Sequence, residues 1–510
     1  MAGGDLLIII LFFLSLIIIA IGFVRRHRFT SDYYLAGRKL PSWALGVSLA
    51  ANQASAISLI GAPAFVAMRE GGGLTWLQYE LAVPLAMAVL VAWGVPLLYQ
   101  ARGASVYAIL QNRLGVEGRR SGAWLFLVGR GGSTGVILYA SALVVEAVTG
   151  LGIEASLILV GFVALAYTAL GGLAADVVTD VFQFGLLWGG TLVAGLFLAL
   201  RLSAQGTSFL NIDPSRLRTL DFAGHGWGDN AVFSFWPMLL GGLFLYLSYY
   251  GCDQTQVQRL LSCRSLSEAR RALMIASFLR FPLVLTYCGL GLLLAALVKV
   301  DTVFAGRLIG KPSDSLVPEF IAYWLPAGWR GIAIVGILAA ALSSIDSAFN
   351  SLSAVTLEEV LPRRWSKSLL AARLVTVGWG VATVMAAFAF SRATATTVEI
   401  VNRLGSAVYG PTLALFFAAL WLKPGRGFII SGVMAGLISS LIIAWLVPGV
   451  SWMWWNLIGF SSAAFFFLIG TRNLFPKPKI EAIKTPEIIW LMALFISILV
   501  ILALIPSLFG

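Results

Sequence analysis

Windows of about 20 predominantly apolar residues, the length that carries an α-helix across a bilayer, recur from one end of this chain to the other. A soluble fold has no use for so many. Of the 510 residues 59% are hydrophobic and only 11% charged, whereas soluble domains are about half apolar and about a quarter charged. The pattern predicts an all-α polytopic membrane protein with about 14 transmembrane helices. They are expected near 5–24, 41–66, 75–100, 122–149, 154–172, 176–201, 231–251, 269–299, 331–358, 368–391, 398–422, 427–447, 453–471 and 487–508. No connecting loop is long enough for a soluble domain, so 1–510 reads as one transmembrane unit.

Charge asymmetry orients the spans, because Lys and Arg collect on cytoplasmic loops. The first span has no basic residue before it and "RRHR" (Arg25 to Arg28) after it, the reverse of a secretory signal. It reads as a retained helix running outside to inside. With that start, the inner loops take most of the 35 basic residues, Arg259 and Arg264 among them. The outer loops take only Arg201, Arg216, Arg218, Lys299, Arg307, Lys311 and Arg392. Both termini are then expected outside, in the plasma (inner) membrane. The net charge of +12 is spread over short inner loops, as topology alone requires, so no nucleic-acid partner is expected. Cys252, Cys263 and Cys288 have no paired spacing, and no disulfide framework or zinc site is indicated.

A charge near the bilayer centre is costly, about 2.5–3.5 kcal/mol on insertion scales, which makes each one a functional candidate. The candidates are Glu80, Arg130, Asp176, Asp180, Asp253, Arg280, Asp346, Arg373, Glu399 and Arg403. Arg373, Asp176 and Glu399 read as span ends. Asp346 falls in mid-span, in "AALSSIDSAFNS" (Ala340 to Ser351). At helical spacing Ala340, Ser343, Ser344, Ser347 and Ser351 share a face with Asp346 at its edge. Small residues there would also suit a helix-packing seam, which accounts for the serines but not for the aspartate. A hard cation prefers such oxygens. One helix supplies only part of a coordination shell. "SLAANQASAISLIGAP" (Ser48 to Pro63) offers a second part, a run of small and amide residues suited to local unwinding.

Four segments together resemble the sodium:solute symporter family: "SDYYLAGRKLPSWALGVSLAANQASAISLIG", "AYTALGGLAADVVTDVFQ", "YYGCDQTQVQRLLSCRSLSEAR" and "LPAGWRGIAIVGILAAALSSIDSAFNSLSAV". Their order and spacing cover nearly the whole chain. The resemblance implies a LeuT-type core of five plus five helices in inverted repeats, at 41–201 and 231–422. An extra N-terminal helix (1–30) and C-terminal helices (427–510) complete it, and the first helix of each repeat is broken at the midplane. It implies a first sodium site at Ala51, Ala54, Ala340, Ser343 and Ser344. A second sodium site is implied at Asp180, Asp346 and Ser347, with Asp346 departing from members that carry a neutral residue there. The matching solute positions are Gln53, Ser55, Ser58, Glu80, Arg130, Asp253 and Arg403.

The sugar-carrying branch is similar at Glu80 but has Glu-Gln where this chain has Ile57 and Ser58. Arg130 and Arg403 suit an anion, since guanidinium binds carboxylate through two parallel hydrogen bonds. The resemblance therefore implies sodium-coupled import of a small polar organic solute by alternating access. An anion of sialic acid or monocarboxylate type is favoured, and a sugar or polyol is the alternative. A membrane sensor and a proton-coupled carrier are the rivals from other classes. The chain ends at Gly510 directly after its last span, so no signalling domain is expected. No enzyme is expected either: His27 and His225 are the only histidines and fall in loops on opposite sides.

Overall fold

The computed structural model describes residues 3–24, 30–99, 105–204, 206, 212–229, 231–362, 364–392, 397–447, 449–474 and 486–509. The expectation for Arg25 to Arg28 falls outside them. The main helices are α1 (Gly3–Val24), α2 (Ser42–Gln53), α3 (Ala56–Met68), α4 (Leu74–Leu98), α5 (Tyr107–Thr149), α6 (Ile153–Ala204), α7 (Gly242–Cys252) and α8 (Gln254–Leu261). They continue with α9 (Leu266–Val300), α10 (Trp329–Val355), α11 (Leu369–Phe390), α12 (Thr397–Trp421), α13 (Arg426–Leu446), α14 (Trp452–Ile469) and α15 (Pro486–Phe509). A two-stranded antiparallel pair, β1 (Leu422–Pro424) and β2 (Thr471–Leu474), ties the end of α12 to the end of α14.

Among the described residues eleven helices are long and apolar enough to cross a membrane, and α2 with α3, bent by 55°, makes a twelfth. The sequence suggested about fourteen, and the difference lies in two places. α6 runs through 52 residues; unbroken, at 1.5 Å per residue, it would reach about 78 Å, more than twice the hydrocarbon thickness. It is interrupted at Gly172 (φ 58°, ψ −175°), a left-handed conformation that glycine adopts without steric cost. The expected spans 154–172 and 176–201 meet at that break. The expected span 231–251 is the eleven-residue α7 behind a five-residue π turn, Pro237–Gly241, which is too short to count.

α10 lies at the centre: 94% of its most apolar window is buried, against 17% for α1, 28% for α13 and 22% for α15. The peripheral helices therefore turn their apolar faces to lipid. α10 and α6 approach closely because Gly190 faces Gly336. A Cβ on Gly190 would sit 3.2 Å from the Ile332 carbonyl and 3.3 Å from Gly336 Cα, the contact that small residues permit between membrane helices. α1 closes the N-terminus of α10 from a distance in sequence: Asp5 Oδ1 accepts the Gly328 and Gly331 N–H groups at 2.8 and 3.1 Å. A carboxylate there satisfies orphan donors and complements the helix dipole. α9 carries its own start signal in "SLSE", with Ser265 Oγ accepting the Glu268 N–H at 3.2 Å.

Candidate cation and solute site

The break between α2 and α3 falls at Ala54 (φ −85°, ψ 81°) and Ser55 (φ −84°, ψ 171°), while Gly61 and Pro63 stay helical. Ala54 N–H still bonds the Ala50 and Ala51 carbonyls, at 3.2 and 3.1 Å, so backbone oxygens beyond that point are released from the ladder. α10 brings its serines against this end of α2. Ser344 Oγ donates to the Asn52 carbonyl at 2.9 Å and to the Ala340 carbonyl at 3.3 Å. Asn52 Nδ2 in turn donates to the Ser343 carbonyl at 3.2 Å, and Ser343 Oγ donates to Asp180. Ala51, Ala54, Ala340, Ser343 and Ser344 are all fully buried. The last turn of α2 and Ala340–Ser344 thus form one oxygen-rich interface.

Beside it lies an acidic cluster. Oxygens of Asp176 and Asp180 on α6 and of Asp346 on α10 lie within 4.8 Å of one another, all buried. Arg259 on the short α8 reaches into the cluster. Its Nη2 donates to Asp176 Oδ2 at 3.0 Å and Asp180 Oδ2 at 2.8 Å, and also to Ser347 Oγ. Its Nε donates to Ser48 Oγ at 2.6 Å, and Ser48 donates onward to Asp180. Asp346 accepts from the Tyr167 hydroxyl at 2.8 Å and from the Ser347 N–H at 2.7 Å. One guanidinium faces three carboxylates. With all three ionised, two negative charges stay uncompensated in a buried place, which costs several kcal/mol per ion. An all-oxygen donor set with surplus negative charge fits a hard cation.

The third feature is a cavity of about 140 Å³ next to the helix break. Gln53, Ser55 and Ser58 line one wall, Arg130 of α5 and Arg280 of α9 line others, and Tyr409 comes from α12. Glu80 is spent on Arg280: the pair is bidentate, Nε to Oε2 at 2.9 Å and Nη2 to Oε1 at 3.1 Å. Arg130 Nη1 stands 4.0 Å from Asp253 Oδ2, and Asp253 itself accepts the Thr255 N–H at 2.8 Å at the start of α8. Arg130 Nε and Arg280 Nη1 are buried donors with no acceptor among the described residues, and buried donors ordinarily have partners.

Asn52 joins the cavity to the cation side. Its Oδ1 accepts from Gln256 at 3.0 Å, from Arg130 at 3.3 Å and from the Tyr249 hydroxyl at 3.4 Å. Its carbonyl and amide nitrogen meet Ser344 and Ser343.

The description of one family model, the sodium:solute symporter family, matches residues 33–439. The chain belongs to the sodium:solute symporter family. This symporter-family chain is 29% identical over 439 residues to the human sodium/iodide cotransporter, covering 82% of itself and 65% of that protein. It is 28% identical over 426 residues to the mouse sodium-coupled monocarboxylate transporter 1, covering 81% of itself and 68% of the relative. The chain thus spans about two thirds of the length of these curated relatives. A solved structure of a Na+-coupled sialic acid symporter, substrate-bound and outward-open, shares the fold with a TM-score of 0.80 at 20% identity, over 92% of this chain and 97% of that one.

Of the solute positions named from the sequence, Gln53, Ser55, Ser58 and Arg130 line the cavity, while Glu80 and Asp253 stand behind its arginines. Arg403 is exposed, and its neighbours Val401 and Asn402 take the wall instead. Two placements change in the family member's fold. Arg259 is not in an inner loop but 1% exposed at the acidic cluster, and Asp176 is no bare span end but 3% exposed beneath it. Three residues that the sequence does not mark for this site join it: Asn52 and Arg280 at the cavity and Arg259 at the acidic cluster. Asp176 and Asp180 one helical turn apart were a signal that a cationic partner was needed. For Arg259 itself the sequence holds only "QTQVQR", five polar residues around Val257, which is buried in full.

Proposed function

We propose that this chain is a sodium-coupled symporter that imports a small anionic organic solute across the cell membrane by alternating access. The observation that carries the reading is Asn52. One residue bonds the serine face that suits sodium and the arginine that suits an anion, so the two ligands would bias the same helix break. Linkage then makes each ligand raise the affinity of the other. The first sodium would be held by the carbonyls of Ala51, Ala54 and Ala340 and the hydroxyls of Ser343 and Ser344. A second would sit at Asp180, Asp346 and Ser347, where the carboxylates outnumber the guanidinium. In this reading 1–510 is one transporter domain of two inverted repeats, 41–201 and 231–422, flanked by helices 1–30 and 427–510, with both termini outside.

The solute class follows from the two unpartnered donors, Arg130 Nε and Arg280 Nη1, which a carboxylate could satisfy. A volume of about 140 Å³ is below the usual range of about 300–1,000 Å³ for drug-sized ligands. It suits a short monocarboxylate better than sialic acid, and a sugar would leave both donors to neutral hydroxyls. Family relatives named for iodide and monocarboxylates agree with an anion.

The test is uptake of labelled short-chain monocarboxylates into proteoliposomes under an inward sodium gradient, with choline and an imposed pH gradient as the other arms. Uptake that requires sodium supports the proposal. Uptake that follows the pH gradient without sodium would replace it with proton coupling through the acidic cluster.

A further inference from the structure

Resting on the second sodium site assigned above, we propose that Arg259 is a tethered rival of that ion: sodium and the guanidinium take turns on Asp180 and Ser347, and when sodium enters, the guanidinium moves over to Asp176 and Asn350. Two of the three residues assigned to the ion are already bonded to Arg259, whose Nη2 donates to Asp180 Oδ2 at 2.8 Å and to Ser347 Oγ. Asp180 has three of its about four lone-pair sites taken, by Arg259, Ser48 and Ser343. A sodium ion and a guanidinium nitrogen on one carboxylate oxygen would stand within about 5 Å of each other, and two like charges repel strongly at that distance in a buried place. Asp346 takes no bond from Arg259; it accepts from Tyr167 at 2.8 Å and from the Ser347 N–H at 2.7 Å, so it stays to meet the ion.

The place to which the guanidinium moves is built beside it. Arg259 Nη2 also donates to Asp176 Oδ2 at 3.0 Å, and Asn350 Nδ2 donates to that same oxygen at 3.4 Å. Asn350 is 1% exposed, yet its Oδ1 is a buried acceptor with no donor among the described residues. Buried acceptors ordinarily have partners. Arg259 Nη1 carries two N–H groups and makes one bond among the described residues, to the Thr255 carbonyl at 2.9 Å. An unused donor and an unused acceptor thus meet at one carboxylate, Asp176. A purely structural arginine needs one carboxylate, whereas this one has three within reach of each other.

The exchange acts on the broken helix. Arg259 Nε donates to Ser48 Oγ on α2 at 2.6 Å, and Gln256, one turn earlier on α8, donates to Asn52 Oδ1 at 3.0 Å. Drawing the guanidinium off Asp180 pulls on both contacts, so the second sodium reaches the end of α2 through α8.

The melting temperature of the purified full chain is titrated with sodium against choline, with Ser344→Ala as the common background so that the first sodium site is weakened and the cluster responds. Arg259→Gln should melt lower in choline and recover in sodium, with the sodium midpoint lower by about tenfold or more, since the ion no longer displaces a cation. Arg259→Gln with Asp176→Asn restores the net charge of the cluster and should show the same lower midpoint, which also serves should the single variant not fold. Asn350→Ala should raise the midpoint several-fold, because the guanidinium has lost its second place. A midpoint unchanged or higher without Arg259 overturns the proposal, as does recovery by acid in choline without sodium, which would put a proton where the guanidinium was. A midpoint unchanged in Asn350→Ala overturns the move to Asn350. Asp346→Asn tells the rivalry from the sodium site itself: a titration that it leaves unaltered withdraws the second sodium and the rivalry with it, whereas a titration that it weakens beside an unmoved Arg259→Gln midpoint removes the rivalry alone.

Discussion

Replacing Ser344 by alanine separates a sodium ligand from a packing serine. Ser344 Oγ donates to the Asn52 carbonyl at 2.9 Å and the Ala340 carbonyl at 3.3 Å, so its oxygen already faces the helix break. Losing an ordinary hydrogen bond costs about 1 kcal/mol of fold stability. Losing a polar contact to a charge costs about 1.5–3 kcal/mol, which is about 10- to 100-fold in sodium affinity at 1.4 kcal/mol per decade. Ser351→Ala is the matched control, because Ser351 Oγ also donates along the helix, to the Ser347 and Ala348 carbonyls at 2.9 and 3.0 Å, and pairs with Thr255 at 2.8 Å. It should lose similar stability with no change in sodium dependence. The assay is the melting temperature of purified protein against sodium concentration, with choline holding ionic strength fixed, since a ligand stabilises in proportion to the logarithm of its occupancy ratio. The same sodium titration for Ser344→Ala and the unmodified protein, or an equal shift in Ser351→Ala, would refute the assignment of this face to sodium.

Arg259→Gln should destabilise the chain by about 3–5 kcal/mol, because it leaves Asp176 and Asp180 buried without their partner. Adding Asp176→Asn should recover part of this, and a thermal melt unaffected by Arg259→Gln would contradict the charge reading. Arg130→Gln should raise the solute KM about tenfold or more, one charge-assisted contact's worth, with little loss of folded protein. Arg280→Gln, which strands Glu80, should instead lower the yield of monodisperse protein; the reverse pattern would exchange their roles.

The spans were legible because bilayer thickness sets a length that any apolar run must meet, and the serine face was legible because helical periodicity stacks every third or fourth residue. Charge pairing was not. Glu80 and Arg280 are 200 residues apart, and no local rule joins them. Arg259 lies on an eight-residue helix with no apolar window, so a hydropathy reading assigns it to a loop, although α2, α6 and α10 close over it. Asp176 follows the Gly172 break by four residues, where a span would begin, and only the packing of α8 and α10 removes it from water. Arg403 shows the limit of a residue-level reading. This charge in an apolar run lies on an exposed part of α12, while Asn402, one residue earlier, faces the cavity. One residue of helix turns a side chain by about 100°, finer than a span boundary read from sequence.

Asn52 is where coupling would reside, and that follows from its position. It occupies the penultimate place of α2, so any change at the Ala54–Ser55 break moves it. Its backbone oxygen serves Ser344, while its side chain holds Arg130 at 3.3 Å and Tyr249 at 3.4 Å. Those two bonds are near the long limit of hydrogen bonding, where a shift of a few tenths of an ångström breaks them. A cation that fixes the serine face would fix the arginine, and an anion on the arginine would fix the serine face. Typical coupling between two sites is about 1–3 kcal/mol, or 5- to 150-fold in affinity. In Asn52→Ala the serine hydroxyls and the arginine remain, so sodium and solute should each still bind, but the ratio of solute Kd in choline to that in sodium should fall towards one. Calorimetric titration in the two salts measures that ratio directly. A ratio unchanged from the unmodified protein would mean that coupling runs through other contacts of the broken helix and that Asn52 is only a structural hydrogen-bond hub.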